Sequence, residues 1–456
     1  MRVFIENCAI VVEDPDDRLS EKLTRFRRNN DGSGEYVPLY TLSRERNTLV
    51  TMPGFRRMVE DFVVSEGGKA VDRRLKMPDA DSSATDGMPD VWKEVAEKAL
   101  AAGGGIVSVP DMFGTVGFAA SIIRSYPRDR LAERGTPICL VACERIDHAR
   151  DIAASLRNEL PGRDVRPCTG KFGSDGEDVI VASFNTMREI PLWSVGVLIC
   201  AIGGRLKDHA DEIRAEAVSS VRKAARWGVA SSPIGGRYEP DMIEEGLFGP
   251  LVASVSYEDA VKAGIAMPVT VCWVPCPKPN APMISAPLDI LEKLAHEENK
   301  GFLQVLGDIV YRAHPDEGCV VKAAPDLISR FDGFLTGAVR IGKKDADKLR
   351  RVKLEDLSAG VIRKALVEDR FFPSKLDQAL VVCSCGGADS VYNIPWGAKT
   401  KEAPDRKLYM VDFRHDWDVH NGRPGRLARN DDARKLRYRE LGFSQILCDI
   451  EELPFL

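Results

Sequence analysis

The sequence has no apolar run that is able to cross a membrane. Nowhere do roughly 18 consecutive apolar residues occur, the length that marks a membrane-spanning helix. Residues 1–7 also lack a basic leader followed by an apolar run, so an export signal is not expected. Internal repeats and low-complexity tracts are missing as well. These absences predict a cytoplasmic protein with no membrane partner.

Cysteines are present, but not in the arrangements that form disulfide frameworks or bind zinc. The 11 cysteines are odd in number, and most lie in apolar runs, where a thiol acts as a small buried hydrophobe. The closest pairs are Cys383 with Cys385 and Cys272 with Cys276, and neither has a matching Cys or His pair at zinc spacing. We therefore expect free structural thiols in a reducing compartment and no metal site.

A second group of possible metal ligands lies near the C-terminus. Its acids and histidines are Asp412, His415, Asp416, Asp418 and His420. Carboxylate and imidazole groups so close together are able to hold a divalent cation. The alternative is that they are structural groups at the end of a strand, which we favour, so the sequence still predicts no metal.

Charge of neither sign dominates the chain. The 64 basic and 69 acidic residues give a net charge of −5, which argues against a protein that coats nucleic acid through a uniformly basic surface. Basic residues do cluster in residues 340–353 and 423–439. Each cluster is either the solvated face of a helix or a local surface for nucleic acid.

The length of 456 residues predicts two or three domains. A small leading unit ends in a polar, Asp/Ser-rich segment at residues 78–87, so we place the first domain and its linker at residues 1–87. Two blocks of alternating strands and helices follow, at residues 88–270 and 271–456. A Pro-rich stretch at residues 274–287 indicates a lobe boundary or an ordered connection.

Continuous apolar runs separated by amphipathic segments predict parallel sheets covered on both faces. The predicted strands are residues 106–109, 138–142, 179–182, 195–201 and 227–230 in the first block, and residues 318–322, 379–383 and 408–413 in the second. The spacing also predicts a helix over residues 117–126. A loop is therefore expected between the first of these strands and that helix.

This loop lies where a phosphate-binding loop would be. Such a loop needs glycines for close backbone approach, a Lys for the terminal phosphates and a Ser or Thr for magnesium. Its residues here are Pro110, Asp111, Met112, Phe113, Gly114, Thr115 and Val116. With the strand before it, the segment resembles the first motif of superfamily 2 helicases, Pro-Thr-Gly-x-Gly-Lys-Thr. Thr115 occupies the Lys position and Val116 the magnesium-binding position.

Further segments follow in the order of the same family. Residues 178–187 resemble one of its strand segments, and residues 228–233 resemble its Leu-Thr-Ala-Thr-Pro segment. Ala201 and Ile202 occupy the place of the acidic Asp-Glu-Ala-His box. In the last motif, the Gly-Arg pair and the final Arg are replaced by Trp396, Gly397 and Thr400.

The resemblance covers residues 88–443 and is nearest to the XPB-like and phage UvsW-like branch. It implies an α/β fold with two RecA-like parallel-sheet lobes in tandem, preceded by a small N-terminal α+β domain. The replaced residue types imply that ATP hydrolysis is lost, because an arginine finger alone contributes about 10³ to 10⁵ in rate. We therefore expect a pseudo-helicase that is not an enzyme and uses no cofactor.

Three hypotheses about function remain open. In the first, the protein binds DNA or RNA without translocation, through the basic residues Arg145, Arg237, Lys343, Lys344 and Lys399. In the second, it is a structural module with protein partners in a replication, recombination or virion assembly, located in the host cytoplasm or the virion if a phage encodes it. In the third, it is an active helicase with non-standard motifs. A basic stripe favours the first and an exposed apolar patch the second.

Overall fold

The computed structural model describes most of the chain. The described residues are 1–28, 34–74, 81, 88–109, 111–170, 178–202, 215–231, 242–264, 268–280, 287–296, 298–312, 319–323, 339–341, 364–368, 380–383, 407–440 and 442–454. Those up to Val255 form one compact unit, and those from Ser256 onward form a second. Within these ranges no helix is long and apolar enough to cross a membrane.

The first unit begins with a small α+β domain. Its strands are β1 (Arg2–Ile5), β2 (Ile10–Glu13), β3 (Thr24–Arg28), β4 (Gly34–Pro38), β5 (Tyr40–Ser43), β6 (Thr48–Thr51) and β7 (Lys69–Asp72), and its helices are α1 (Asp17–Lys22) and α2 (Arg56–Ser65). Five strands form a mixed sheet in the order β5-β6-β2-β1-β7, and β3 and β4 form a separate hairpin. Alternate apolar residues of β1 and β2 bury one face of the sheet in a core shared with α2.

This domain also packs onto the rest of the first unit. The short 3-10 helix Pro53–Phe55 lies against the helix Met242–Phe248, where a Cβ added to Gly54 would be 1.7 Å from the carbonyl oxygen of Glu245. Only glycine allows the two backbones to approach this closely. The leading domain is therefore anchored to the first lobe by backbone contact.

The first lobe is a seven-stranded parallel sheet. Its strands are β8 (Gly105–Val109), β9 (Ile138–Cys143), β10 (Val165–Cys168), β11 (Val179–Ser183), β12 (Val195–Ile202), β13 (Ala225–Ser231) and β14 (Leu251–Ser254), in the order β10-β11-β9-β12-β13-β8-β14. Its helices are α3 (Asp90–Ala102), α4 (Asp111–Ser125), α5 (Arg128–Ala132), α6 (Ile146–Glu159) and α7 (Met242–Phe248). Every residue of β8, β9 and β11 is buried, as expected for strands covered on both faces.

The second unit contains the second lobe, also with a seven-stranded parallel sheet. Its strands are β15 (Val269–Pro275), β16 (Cys319–Ala323), β17 (Val339–Ile341), β18 (Lys364–Glu368), β19 (Leu380–Cys383), β20 (Leu408–Arg414), β21 (Val419–His420), β22 (Arg423–Pro424) and β23 (Ser444–Leu447). The sheet order is β17-β18-β16-β19-β20-β15-β23, and β21 and β22 form a short hairpin. Its helices are α8 (Tyr257–Lys262), α9 (Leu288–Ala295), α10 (Lys300–Arg312) and α11 (Arg426–Glu440).

The eight strands predicted from apolar runs in the two blocks are all present, but two boundaries differ from expectation. The helix predicted over residues 117–126 begins at Asp111. The lobe boundary expected after residue 270 lies inside β15, a strand of the second sheet, and the second unit begins at Ser256. Ser256 caps α8 through a reciprocal hydrogen-bond pair with Asp259, so a regular helix starts here and not a linker.

Candidate nucleotide and nucleic-acid site

The residues that resemble nucleotide-binding motifs meet at one edge of the first sheet. β8, β12 and β13 end at Val109, Ile202 and Ser231, and the register places Ile202, Ala230 and Ser108 in one row across the three strands. Parallel strands present their carboxyl ends at the same edge, which is where α/β proteins bind ligands. The fold therefore brings the ends of these three segments together.

The connection between β8 and α4 differs from a phosphate-binding loop. β8 ends at Val109 and α4 begins at Asp111, so the segment expected to be a loop is the start of a helix. Asp111, Met112 and Phe113 form the first turn of α4; Pro110 lies outside the described residues. A phosphate-binding loop needs several residues between strand and helix to wrap the phosphates.

Packing of α4 against β8 explains this early start. A Cβ added to Gly114 would lie 2.5 Å from the Cβ atom of Val109 and 3.3 Å from the Trp92 ring. One turn further, a Cβ added to Gly117 would lie 2.7 Å from the same ring. Both glycines therefore allow α4 to pack closely against β8 and the Trp92 indole. Gly114 is part of the helix and does not belong to a phosphate-binding loop.

The position that aligns with the phosphate-binding lysine is buried. The Thr115 side chain is 2% exposed, and Val116, at the magnesium-binding position, is half-buried. A side chain at residue 115 points into the packed interior of the lobe because α4 lies directly on the sheet. A lysine there would bury an ammonium group, which is costly without a charged partner.

The position of the acidic box is part of the hydrophobic core. Ile202 is 2% exposed and belongs to the core cluster of the first lobe, together with Leu247 and Phe248. A Cβ on Gly228 would lie 2.4 Å from Cδ1 of Ile202 and 2.9 Å from the Phe248 ring, so both side chains fill the space above this glycine. Ala201, on the opposite face of the strand, is half-buried.

Most other expected site residues lie outside the described ranges. These are Trp396, Gly397 and Thr400 of the last motif, and the basic residues Arg237, Lys343, Lys344 and Lys399. Arg145 is described and exposed, and it precedes the first turn of α6. It lies two residues after the end of β9, at the carboxyl edge of the first sheet, and is one of the basic residues expected to contact nucleic acid.

An exposed aromatic pair in the leading domain is a further feature, which was not predicted from the sequence. Phe26 of β3 and Tyr36 of β4 are cross-strand partners, are 57% and 76% exposed, and their ring centroids lie 5.2 Å apart. The Phe26 ring lies over Gly34, which has no side chain to displace it. The sequence feature that could have predicted this pair is the alternation of Arg and Phe in Thr24–Arg28.

The C-terminal group of acids and histidines does not form one cation site, because its members face different partners. Asp412 accepts hydrogen bonds from Nε of Arg434 at 2.9 Å and from the Tyr438 hydroxyl at 2.8 Å. His415 instead contacts Asp431, with 3.0 Å between Nδ1 and Oδ1. All five of these side chains are 2% exposed or less.

The remaining acids of that group are used locally. Asp416 pairs with Arg414 at 2.6 Å. Asp418 accepts from the backbone N–H of Leu427 at 2.8 Å and so caps α11. His420 lies 3.0 Å from the same carboxylate. The structural interpretation of these acids agrees with the contacts.

Eight cysteines are free thiols, among them Cys139, Cys272 and Cys276. Burial raises the pKa of Cys139 on β9 and of Cys272 on β15 to about 12 each. A thiol with so high a pKa stays protonated near neutral pH and is a poor nucleophile. These two cysteines therefore act as packing residues.

Comparison with known proteins gives structural likenesses only. No protein-family model matches the chain, and no curated protein sequence matches it. The structure is similar to Dbp5 of S. cerevisiae bound to RNA and ADP BeF3, with a TM-score of 0.54 and 9% identity over 80% of this chain and 90% of that one. It is also similar to a fragment of a putative HsdR subunit of a type I restriction enzyme from Vibrio vulnificus, with a TM-score of 0.52 and 13% identity over 94% of this chain and 79% of that one.

The UvsW helicase of bacteriophage T4 is a further similar structure. It matches with 12% identity over 98% of this chain and 99% of that one, at a TM-score of 0.39. The fold assignment rests on the two likenesses with higher scores, together with the order of the strands and the paired parallel sheets. This chain has the fold of the two higher-scoring structures, with two RecA-like parallel-sheet lobes that follow a small N-terminal domain.

Proposed function

We propose that this protein is a pseudo-helicase that binds nucleic acid without hydrolysing ATP and without translocating. The observation that carries the first half is the burial of two uncharged side chains at positions that resemble nucleotide motifs. Thr115 and Ile202, at the positions of a phosphate-binding lysine and a magnesium-binding acid, are each 2% exposed. Neither side chain has a charge to offer a nucleotide or its metal ion.

The start of α4 supports the same conclusion. A phosphate-binding loop presents several backbone N–H groups around the phosphates, but here the helix begins two residues after the end of β8. NTP hydrolysis depends on positioning and charge neutralisation by parts that act as a unit. With the lysine and the acidic residue both replaced, turnover has no route through this edge of the sheet.

Nucleic-acid binding is supported by two described features. Arg145 is exposed at the carboxyl edge of the first sheet. In the leading domain, Phe26 and Tyr36 present two exposed rings on a hairpin whose first strand contains three arginines. Exposed aromatic rings beside basic residues are the usual platform for stacking single-stranded bases. The similar Dbp5 structure is itself bound to RNA.

The test is binding of fluorescent single-stranded, duplex and forked DNA, and of single-stranded RNA, at low and near-physiological salt. We expect affinity that falls with salt, as phosphate contacts require, and that ATP does not change. The double variant Phe26→Ala, Tyr36→Ala should weaken binding to single strands about tenfold or more, since one stacked base contributes about 1–3 kcal/mol. Trp193→Ala is the matched control, because Trp193 is an equally exposed aromatic residue, at 69%, on another part of the same unit.

Hydrolysis is measured in the same preparation. Phosphate release from magnesium-ATP, with and without DNA, should not exceed that of a sample without protein. Turnover stimulated by DNA would contradict the proposal and support a helicase with non-standard motifs. Failure to bind any of the four nucleic acids would contradict the second half of the proposal.

A protein partner is the second candidate function, and Trp193 favours it. This residue lies in the 3-10 helix Leu192–Ser194 directly before β12, at the amino edge of the first sheet, opposite the nucleotide-motif edge. A large indole left 69% exposed is a typical anchor of protein interfaces. If the protein binds no nucleic acid and Trp193→Ala abolishes its complex with a protein partner, the result supports a structural role in an assembly.

A further inference from the structure

Three side chains of metal-binding type converge in the second unit. They are Cys276, His296 and His415, which are 3%, 3% and 2% exposed, and their ligand atoms all lie within 4.8 Å of one another. Cys276 follows β15 and His415 follows β20, two adjacent parallel strands, while His296 ends α9. The cluster therefore lies at the carboxyl edge of the second sheet.

The spacing of these atoms is close to that of a zinc site. The Nε2 atoms of His296 and His415 are 2.9 Å apart. A tetrahedral zinc ion with bonds of about 2.0–2.3 Å needs ligand atoms about 3.3–3.6 Å apart. Small side-chain rotations within a cluster no wider than 4.8 Å satisfy this requirement. The thiol is held only weakly, with 3.8 Å between Sγ of Cys276 and the carbonyl oxygen of Ala295.

A carboxylate orients one of the histidines. Nδ1 of His415 lies 3.0 Å and 3.1 Å from the two carboxylate oxygens of Asp431, and the backbone N–H of His415 donates to the same carboxylate at 2.6 Å. This arrangement keeps the proton on Nδ1, so that the Nε2 lone pair points into the cluster. Carboxylate–histidine pairs of this kind are found behind most metal-binding histidines.

The buried charged groups next to the cluster also favour a bound cation. Asp412 and Asp431 are both buried, and Arg434 is the cation that pairs with both, at 2.9 Å each. With both carboxyl groups ionised, these two carboxylates and one guanidinium together carry one negative charge. Zinc bound to a thiolate and two neutral imidazoles carries one positive charge, which offsets it. Within the described residues this is the one group found with metal-ligand geometry.

We propose that Cys276, His296 and His415 bind one zinc ion, with Asp431 as the positioning residue for His415. The ion would join two strand ends and a helix end, and a water molecule would complete its tetrahedral coordination. Zinc displaces the thiol proton of Cys276 to solvent when the Zn–S bond forms.

The test uses the full chain and compares ligand variants with a matched cysteine. Zinc content is measured by mass spectrometry after purification without chelators, and affinity is measured by competition with a chromogenic chelator. We expect about one zinc per chain in the wild type. Cys276→Ser and His296→Gln should lose affinity by more than the about 10–100-fold expected for Asp431→Asn. Cys272→Ser, which changes a buried cysteine of the same β15 strand outside the cluster, should keep the zinc.

Cobalt substitution in the wild type keeps the proposal testable if a variant fails to fold. Bound cobalt should give a thiolate charge-transfer band and visible bands of tetrahedral intensity. A wild-type chain that takes up neither zinc nor cobalt at equimolar concentration would overturn the proposal. So would zinc retained at wild-type affinity by folded Cys276→Ser, or selective uptake of copper with an intense visible band in place of zinc. None of these readouts depends on nucleic-acid binding.

Discussion

Replacing Ile202 with an aspartate tests whether the core side chains leave no space for a charged group at the position that resembles the acidic box. Ile202→Asp removes a fully buried aliphatic side chain, which costs about 2–5 kcal/mol by analogy with other large-to-small core changes. The new carboxyl group lies among core residues of the first lobe, and leaving it without a hydrogen-bond partner costs a further 1–3 kcal/mol or so. The expected loss is therefore about 3–8 kcal/mol, a large part of the stability of a typical domain.

The pH dependence of this loss identifies its cause. Burial disfavours the charged form, so the pKa of the introduced carboxyl is raised in the folded state. The native state then binds more protons than the unfolded state, and stability falls as pH rises above the unfolded value of about 3.9. Between the unfolded pKa of about 3.9 and the folded pKa, each unit by which the pH rises adds about 1.4 kcal/mol to the loss of stability. Ile202→Asn, which lacks the charge, should lose stability without this slope.

Urea unfolding followed by tryptophan fluorescence at pH 5 and pH 7 measures both effects. Ala201→Asp is the positional control, since Ala201 is half-buried on the opposite face of β12 and should cost far less. If Ile202→Asp changes the free energy of unfolding by less than about 1 kcal/mol, with no slope against pH, the reasoning is refuted. The edge of the sheet would then be open to an acidic residue.

Three further predictions follow from buried groups of the first unit. Thr115→Lys should destabilise the protein by about 2–4 kcal/mol in urea and should not restore ATP hydrolysis, because the new ammonium group is buried without a partner. Arg163→Ala leaves the buried carboxylate of Asp178 unpaired and should cost about 3–5 kcal/mol, whereas Arg166→Ala, in an exposed pair, should stay within about 1 kcal/mol. Burial raises the pKa of Cys139 to about 12, so the native thiol keeps its proton and stability should fall as pH rises from 9 toward 12. Cys139→Ala should flatten that slope in thermal melts, and an unchanged slope would contradict the assignment.

Apolar runs alone were enough to find the strands that carry the motifs. Residues 106–109 and 195–201 were predicted as strands and are observed as β8 and β12. A parallel strand buried on both faces must be apolar at nearly every position, so its signal is local in sequence. The strand order, and therefore the meeting of the two motif positions at one edge, is known only from the structure.

The start of α4 was decided by tertiary packing. Gly114 and Gly117 are weak helix formers, and the sequence prediction began the helix only at Gly117. Contact with Val109 and Trp92 leaves no space for a Cβ at either position, so packing overrides the propensity. The same packing turns an expected loop into a helix.

What the sequence determined by itself is the class of fold and the uncharged residues Thr115 and Ile202 at two positions that resemble nucleotide motifs, since both can be read position by position. What only the tertiary structure decided is which distant residues meet. Phe26 and Tyr36 become neighbours through a cross-strand register. Cys276, His296 and His415 meet because adjacent parallel strands and a helix end at one edge of a sheet. The spacing of residues along the sequence does not predict these contacts, because the distance between residues so far apart in sequence depends on how the whole chain folds.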